Sequence, residues 1–509
     1  MWVIPGILVV LVTAWFLRRF MKNSNADKLS YWKQQGFTIL EETISGWDIF
    51  TGKGNVTDSD IEYYKELGRR GESCGVVTEL GTPILIVRDL DVVRDILIKD
   101  FDNFTDRPPF GEGNKIFNGS LFGLMGKNWR NMRSFLSPTF TSGRIRNMFS
   151  HFEKSAANLT AFIKNQQKTS SSTNFDLPVV EAMRKFSMQV ITSAAFGLKV
   201  DSFHPSDEII PMARRLFALT MSAKIRMIFV LQFPKLAKFL NVKMEDVEAV
   251  DFFWRLISTA INIRQKSGVR GNDFLQSLVD ALNSKEAGDI VWSEDAAIPQ
   301  AFAFIAAGFD TIANNLSAAC YVLATHPEVQ EELYREVEKV MQSSGDDTIS
   351  YEEINGMEYI DMFVAETLRL YPSVARLDRV CTTECALPDV GKGGRARLIR
   401  KGTVIAVPAD AFHKDEQYFP DPFKFDPTRF SQENKAKRSP YAYMGFGNGP
   451  RSCIGMRFAL VETKVALAHI VRNFEIRPSA GTPIPAKMEK DMLGYSVGTD
   501  IRLKFIPRD

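Results

Sequence analysis

The stretch Phe446-Gly447-Asn448-Gly449-Pro450-Arg451-Ser452-Cys453-Ile454-Gly455 gathers residue types that do chemistry. Three glycines and a proline in ten residues cannot continue a helix or a central strand, so the segment is a loop shaped to bring backbone close to another group. A thiolate in such a loop can ligate a metal, and backbone N–H groups that glycine allows to approach would settle the charge on sulfur. Cys453 is therefore a candidate metal ligand, and Arg451 is placed to meet a carboxylate on the bound group. The loop alone leaves a second reading open, a buried free thiol in a tight turn, because unpaired cysteine behaves as a small apolar residue.

Other constellations lie upstream. Ala307-Gly308-Phe309-Asp310-Thr311 sits at the centre of residues 296–325, a stretch of thirty with Asp310 as its one charge. Gly308 would leave room for a small ligand, and Asp310 with Thr311 would hold water and relay protons. The plainer alternative is that Thr311 bonds the carbonyl one turn back and that Asp310 finds a partner. Trp129 and Arg133 are four apart, hence on one helix face, where an indole N–H and a guanidinium can serve one anion. Glu366 and Arg369 are three apart in a helical run stopped by Pro372. On a surface that pair contributes about 0–1 kcal/mol. Buried with a third partner, for which Arg429 is the candidate, it would lock the fold. Arg376 and Arg379 follow Pro372 in an extended run, and Phe304, Ala307 and Val374 are apolar candidates for contact with a lipophilic substrate.

The elements that must position these residues are legible in outline. The chain has 509 residues, 45% of them hydrophobic, and a net charge of +2, which permits a large core and gives no global signal for nucleic-acid binding. Residues 78–100 read as a hairpin followed by a helix. Between about 143 and 285 apolar residues recur at three and four, predicting a helical middle. Residues 296–325 are long enough to tempt a membrane assignment, but Pro299, Gln300, Asp310, Asn314 and Asn315 interrupt them, so a long core helix is expected. Residues 456–474 continue the cysteine loop as a helix whose N-terminus would favour the Cys453 thiolate. The uncharged run from Trp2 to Leu17, followed by Arg18, Arg19 and Lys22, reads as a membrane anchor with the remaining chain on the cytosolic side. Asn55, Asn103, Asn118 and Asn158 head glycosylation sequons that this topology would leave inert. The five cysteines are odd in number and widely spread, which points to a reducing compartment, and Cys381 with Cys385 reads as two free thiols rather than half of a zinc site. The organisation expected is an anchor over 1–22, a linker over 23–45 and one domain over 46–509.

Taken in order, the anchor, Trp129 to Arg133, Ala307 to Thr311, Glu366 to Arg369, Pro427-Thr428-Arg429-Phe430 and Phe446 to Gly455 resemble the cytochrome P450 family of haem-thiolate monooxygenases. Leu136-Ser137-Pro138-Thr139-Phe140-Thr141-Ser142-Gly143 and Phe104-Thr105-Asp106-Arg107 are similar to stretches in its microsomal animal members, the drug- and insecticide-metabolising group. The resemblance implies a mainly α (α+β) fold, with a large helical domain and a small β-rich subdomain. It implies haem b with Cys453 as proximal axial ligand, Phe446 and Gly455 of the same loop as further cofactor-binding residues, and Trp129, Arg133, Arg379 and Arg451 on the propionates. It also implies residence in the endoplasmic reticulum membrane, and electrons from NADPH through NADPH-cytochrome P450 reductase, with cytochrome b5 as a further partner. Lys435, Lys437 and Arg438 are then candidates for a basic docking face or, equally, a solvated charge cluster. One departure is that residues 31–38 lack the proline-rich hinge the family often carries after its anchor. Two rival readings remain: a reductase-independent isomerase or dehydratase of oxygenated lipids, and a non-catalytic membrane-tethered haem or lipid carrier.

Overall fold

The computed structural model describes residues 29–508 apart from 44–47, 49–53, 80, 110–114, 170–175, 199, 205–206, 218–219, 233, 241, 244, 285, 288–289, 345–347, 388–396, 487, 491–494 and 499. The anchor expected over 1–22 lies outside the described residues. Of the expected linker over 23–45, residues 29–43 are described, and Trp32, Phe37 and Leu40 within it are buried. Ordered packing therefore begins inside that stretch. Two compact units are present, and neither is one continuous segment of chain.

The first unit comprises the described part of Met1–Pro108 together with Val374–Tyr418 and Pro440–Arg451. Its centre is a five-stranded sheet in the order Thr38–Ile39, Cys74–Glu79, Thr82–Val87, Val404–Val407, Leu377–Val380. Cys74–Glu79 and Thr82–Val87 form the expected hairpin, paired from Cys74↔Val87 to Glu79↔Thr82. Gly81, at φ 81°, supplies the left-handed turn residue. The runs Ile84-Leu85-Ile86 and Ile405-Ala406-Val407 are β-branched or small and buried, as interior strands require. Tyr63 and Leu67 of the Val56–Arg70 helix pack on Val77, Ile84, Ile86 and Ala406. That helix starts at Asn55, whose side chain accepts from Asp58 N–H, so this sequon asparagine is an N-cap. The helix expected after the hairpin is Leu90–Arg94 continued by a π-helical turn, Asp95–Lys99.

The second unit, Pro109–Ser373 with Phe419–Ser439 and Ser452–Asp509, is predominantly helical. Its long helix, Glu294–Thr325, has the length and composition of a membrane span, yet most of its central window is buried inside the protein. It packs against Val179–Val190, Val247–Ser267 and Met456–Asn473. Ser142–Thr169, Val247–Ser267 and Phe274–Ser284 supply the helical middle that apolar periodicity predicts. A small antiparallel sheet, Phe474–Pro478, Arg502–Pro507 and Leu177–Pro178, closes the unit. The observed class is mostly helical with small β-sheets.

Candidate functional site

The cysteine loop leaves the first unit at Arg451 and enters the second at Ser452. In the first unit, Gly447 and Gly449 lie at φ 71° and 73°, where other residues are strained. A Cβ on Gly449 would also stand 1.9 Å from the Leu97 carbonyl oxygen, so this position admits glycine alone. Gly455 is different. Its φ is ordinary, −86°, and a Cβ there would meet nothing within 4 Å. Among the described residues nothing packs against the open face of Gly455, which leaves its backbone accessible to a flat group beside Cys453.

Gly455 caps the Met456–Asn473 helix, so Cys453 lies just ahead of its first turn, where the helix dipole favours a thiolate. Cys453 is exposed, whereas Cys74, Cys320 and Cys381 are buried and Cys385 is half-buried. Trp129 and Arg133 lie on the Gly126–Leu136 helix, Trp129 buried and Arg133 half-buried. Burial pulls the Arg133 guanidinium below its ordinary range, and the thiolate of Cys453 opposes that pull. The second unit thus brings a cation to the sulfur.

The first unit holds three further arginines. Arg451 is 5% exposed, donates from Nε to the Thr105 carbonyl at 2.8 Å, and lies 3.9 Å from Asp106. Its guanidinium ties the loop to residues 105–106, a fastening role beside the propionate contact expected of it. Arg379, on the Leu377–Val380 strand, is 1% exposed, and its Nη1 donates to the Asp378 carbonyl at 2.8 Å. Its Nε has no hydrogen-bond partner, and it forms no ion pair among the described residues. Burial, with Arg107 adding like-charge repulsion, pulls Arg379 down to about 9. Arg107 itself donates to the Arg451 carbonyl at 3.3 Å. In the sequence Phe104-Thr105-Asp106-Arg107 stands out only as a likeness, and Arg107 has no role legible there. The signal that could have found it is the arginine itself, directly after an acid in the polar run Thr105-Asp106-Arg107. A buried guanidinium with an orphaned N–H is the chemistry that accepts a carboxylate. In the second unit the Cys453 sulfur and the open face of Gly455, and in the first unit the buried Arg379 guanidinium with its unpartnered Nε, each have the chemistry that the haem implied by the resemblance would take.

The long helix carries several of the residues singled out in the sequence. Gly308 does not leave room for a ligand, because a Cβ there would lie 3.0 Å from Ile191 Cδ1 and its space belongs to that neighbour. Phe304, expected at the substrate, is 9% exposed, stacked on Phe140 at 4.8 Å and edge-on to Phe274 at 4.3 Å. Ala307 is the exposed position in this stretch, and Thr311, one turn later, donates its hydroxyl to the Ala307 carbonyl at 2.5 Å. Asp310 projects elsewhere, accepting from Arg184 Nε at 2.9 Å. Both plainer alternatives for Asp310 and Thr311 are thus realised in the resting geometry. Val374, in the first unit, is 40% exposed.

Glu366 and Arg369, on the Glu358–Leu370 helix, are fully buried and bidentate, Nε to Oε2 at 2.7 Å and Nη2 to Oε1 at 2.9 Å. Glu366 Oε1 also accepts from the Asp426 backbone N–H at 2.9 Å. Arg429 Nε stands 3.3 Å away, an electrostatic contact without hydrogen-bond geometry, while its Nη2 donates to the Asp421 carbonyl at 2.9 Å. Of the basic residues considered for docking, Lys437 pairs with Glu433 at 2.5 Å, and Arg438 lies over the rings of Phe419 and Phe430.

Comparison with known proteins agrees with this chemistry. The family model described as cytochrome P450 matches residues 58–501. Cytochrome P450 3A31 of Mesocricetus auratus is 35% identical over 458 residues, covering 88% of this chain and 87% of the relative. Cytochrome P450 3A2 of Rattus norvegicus is 35% identical over 475 residues, 88% and 89% of the two chains. Cytochrome P450 9e2 of Blattella germanica is 34% identical over 477 residues, 88% and 87%. A match over most of the chain, on a scaffold that presents one exposed cysteine ahead of a helix, shows that this protein belongs to the cytochrome P450 family and is a haem-dependent monooxygenase.

Proposed function

We propose that the protein inserts one atom of O2 into a lipophilic small molecule, a xenobiotic, steroid or fatty acid, and releases the other atom as water. The observation that carries this reading is Cys453, the exposed thiol at the head of the Met456–Asn473 helix, with the Arg133 charge acting on it. Haem b, when bound, supplies the oxygen chemistry, with thiolate donation favouring O–O cleavage. Cys453 would hold the iron. Arg133, Arg379 and Arg451, with Trp129, would hold the propionates by charge-assisted hydrogen bonds.

The remaining steps belong to the protein's own groups. Thr311, half-buried one turn from exposed Ala307, holds a proton on Oγ1 that it can turn away from the Ala307 carbonyl. Asp310, held by Arg184, is the companion acid, and its proton exchange requires that ion pair to open. Ala307 and Val374 offer apolar contact to substrate, and Glu366 with Arg369 and Arg429 holds the scaffold. No dinucleotide-binding fingerprint occurs in this chain, so electrons from NADPH would arrive through NADPH-cytochrome P450 reductase, with cytochrome b5 as a second donor. The apolar N-terminal run would anchor the chain in the endoplasmic reticulum membrane with its catalytic part in the cytosol. The test is turnover with a reductase, NADPH and isotopically labelled O2 across a panel of lipophilic compounds. One labelled oxygen atom in the product is expected. Turnover without NADPH, or an unlabelled product, overturns the reading.

A further inference from the structure

Cys381 and Cys385 stand apart from the oxygen chemistry and from every contact assigned above. Cys381 directly follows the Leu377–Val380 strand, and its backbone is pinned on both sides, its N–H donating to the Thr403 carbonyl at 2.9 Å and its carbonyl accepting from Gly402 N–H at 2.7 Å. Its Sγ lies 3.0 Å from the Thr383 carbonyl oxygen and 3.9 Å from that of Ile399. Cys385 opens the Cys385–Leu387 strand and pairs across the ladder with that same Ile399. Two independent features, a strand register and a side-chain contact, therefore converge on one residue, Ile399, and bring the two cysteines to the same end of this ladder. No other pair of the five cysteines is so placed, and Cys385 is half-buried, which gives a reagent in solvent a route to it.

We propose that Cys381 and Cys385 form a reversible dithiol–disulfide couple that exchanges with small-molecule disulfides of the glutathione type. The Cys385 thiolate is the attacking sulfur. The neighbouring Cys381 thiol lowers its pKa, while the same interaction and burial raise that of Cys381, which keeps its proton until the second step. Cys385 attacks one sulfur of oxidised glutathione, forming a mixed disulfide and expelling a glutathione thiolate. Cys381 then attacks the Cys385 sulfur, gives its proton to the departing sulfur and releases a second glutathione. The two protein thiols are oxidised by two electrons and one glutathione disulfide is reduced to two thiols. Buried Cys74 and Cys320, both pushed up to about 11 and 12 by burial, stay outside this exchange.

The experiment equilibrates the full-length, haem-loaded protein over a series of glutathione redox ratios, traps free thiols by alkylation and maps each cysteine by mass spectrometry. Expected is a parallel loss of alkylation at Cys381 and Cys385, a cross-linked peptide joining them, and full reversal by dithiothreitol. In Cys385→Ser, Cys381 should stay reduced throughout. In Cys381→Ser, Cys385 should halt as the mixed disulfide with glutathione. A wild-type protein that keeps both thiols reduced at the most oxidising ratio, or that accumulates glutathione on Cys385 without the cross-link, overturns the proposal.

Discussion

Arg376 and Arg379 are three residues apart at the same strand and have opposite surroundings. Arg376 donates from Nη1 to Glu79 at 2.9 Å and from Nε to Asp378 at 2.8 Å, and lies 3.4 Å from Asp60. Despite burial, those carboxylates raise its pKa well above the ordinary value. Arg379 is more deeply buried and has only a backbone carbonyl on one nitrogen, so its pKa falls to about 9. Strand geometry accounts for the contrast, because positions of opposite parity project to opposite faces. Asp378 shares a face with Arg376, not with Arg379. On the function proposed above, the difference would separate a cation that holds the fold together from a cation kept for the bound cofactor. The Glu366–Arg369 pair would belong to the first kind and Arg133, with Cys453 acting on it, to the second.

Substitutions should split along that line. The largest effect on folding is expected from Arg376→Leu, which leaves Asp60, Glu79 and Asp378 without their shared cation. Removing one partner of a buried ion pair costs about 3–5 kcal/mol, against a typical total stability of about 5–15 kcal/mol. Denaturant unfolding should show this loss, and a loss confined to haem binding would place Arg376 in the wrong class. Arg379→Leu should do the reverse. Each lost charge-assisted hydrogen bond is worth about 1.5–3 kcal/mol, so haem should transfer to an acceptor apoprotein with affinity weakened about tenfold to a hundredfold. The haem-free protein should unfold at an unchanged or higher temperature, because a buried unpaired charge has been removed. Destabilised apoprotein with normal haem retention would contradict the assignment.

A smaller effect is expected at Asp60. Burial raises its carboxyl from 3.8 to about 8, with Arg376 acting in the opposite direction. A carboxyl raised in this way keeps its proton in the fold where the unfolded chain has lost it. Its stabilising contribution is therefore intact at pH values below the unfolded pKa and declines as pH rises through the folded pKa. Unfolding free energies at about pH 5, 7 and 9 should decline through this group in the wild type, and Asp60→Asn should flatten that part of the slope. An unchanged slope would show that Asp60 is ionised beside Arg376 throughout.

Local pattern carried much of this organisation. The hairpin Cys74–Glu79 with Thr82–Val87, the Gly126–Leu136 helix, and the Met456–Asn473 helix follow from β-branched runs and three-four periodicity. The Glu366–Arg369 pair follows from spacing alone. What spacing does not contain is the identity of distant neighbours. The space beside Gly308 is taken by Ile191 of another helix, and Phe304 packs against Phe140 and Phe274. The capture of Asp310 by Arg184 is hidden for the same reason. The division into two units escapes a linear reading because each is assembled from separated segments of the chain.

The most direct measurement is the absorbance spectrum of the reduced carbon monoxide adduct in wild type and in Cys453→Ala, at matched haem content. The wild type should show the long-wavelength Soret band of a thiolate-ligated haem, and the variant should lose it while its apoprotein remains folded. The same band in Cys453→Ala, or its absence from folded, haem-loaded wild type, would show that Cys453 does not hold the iron.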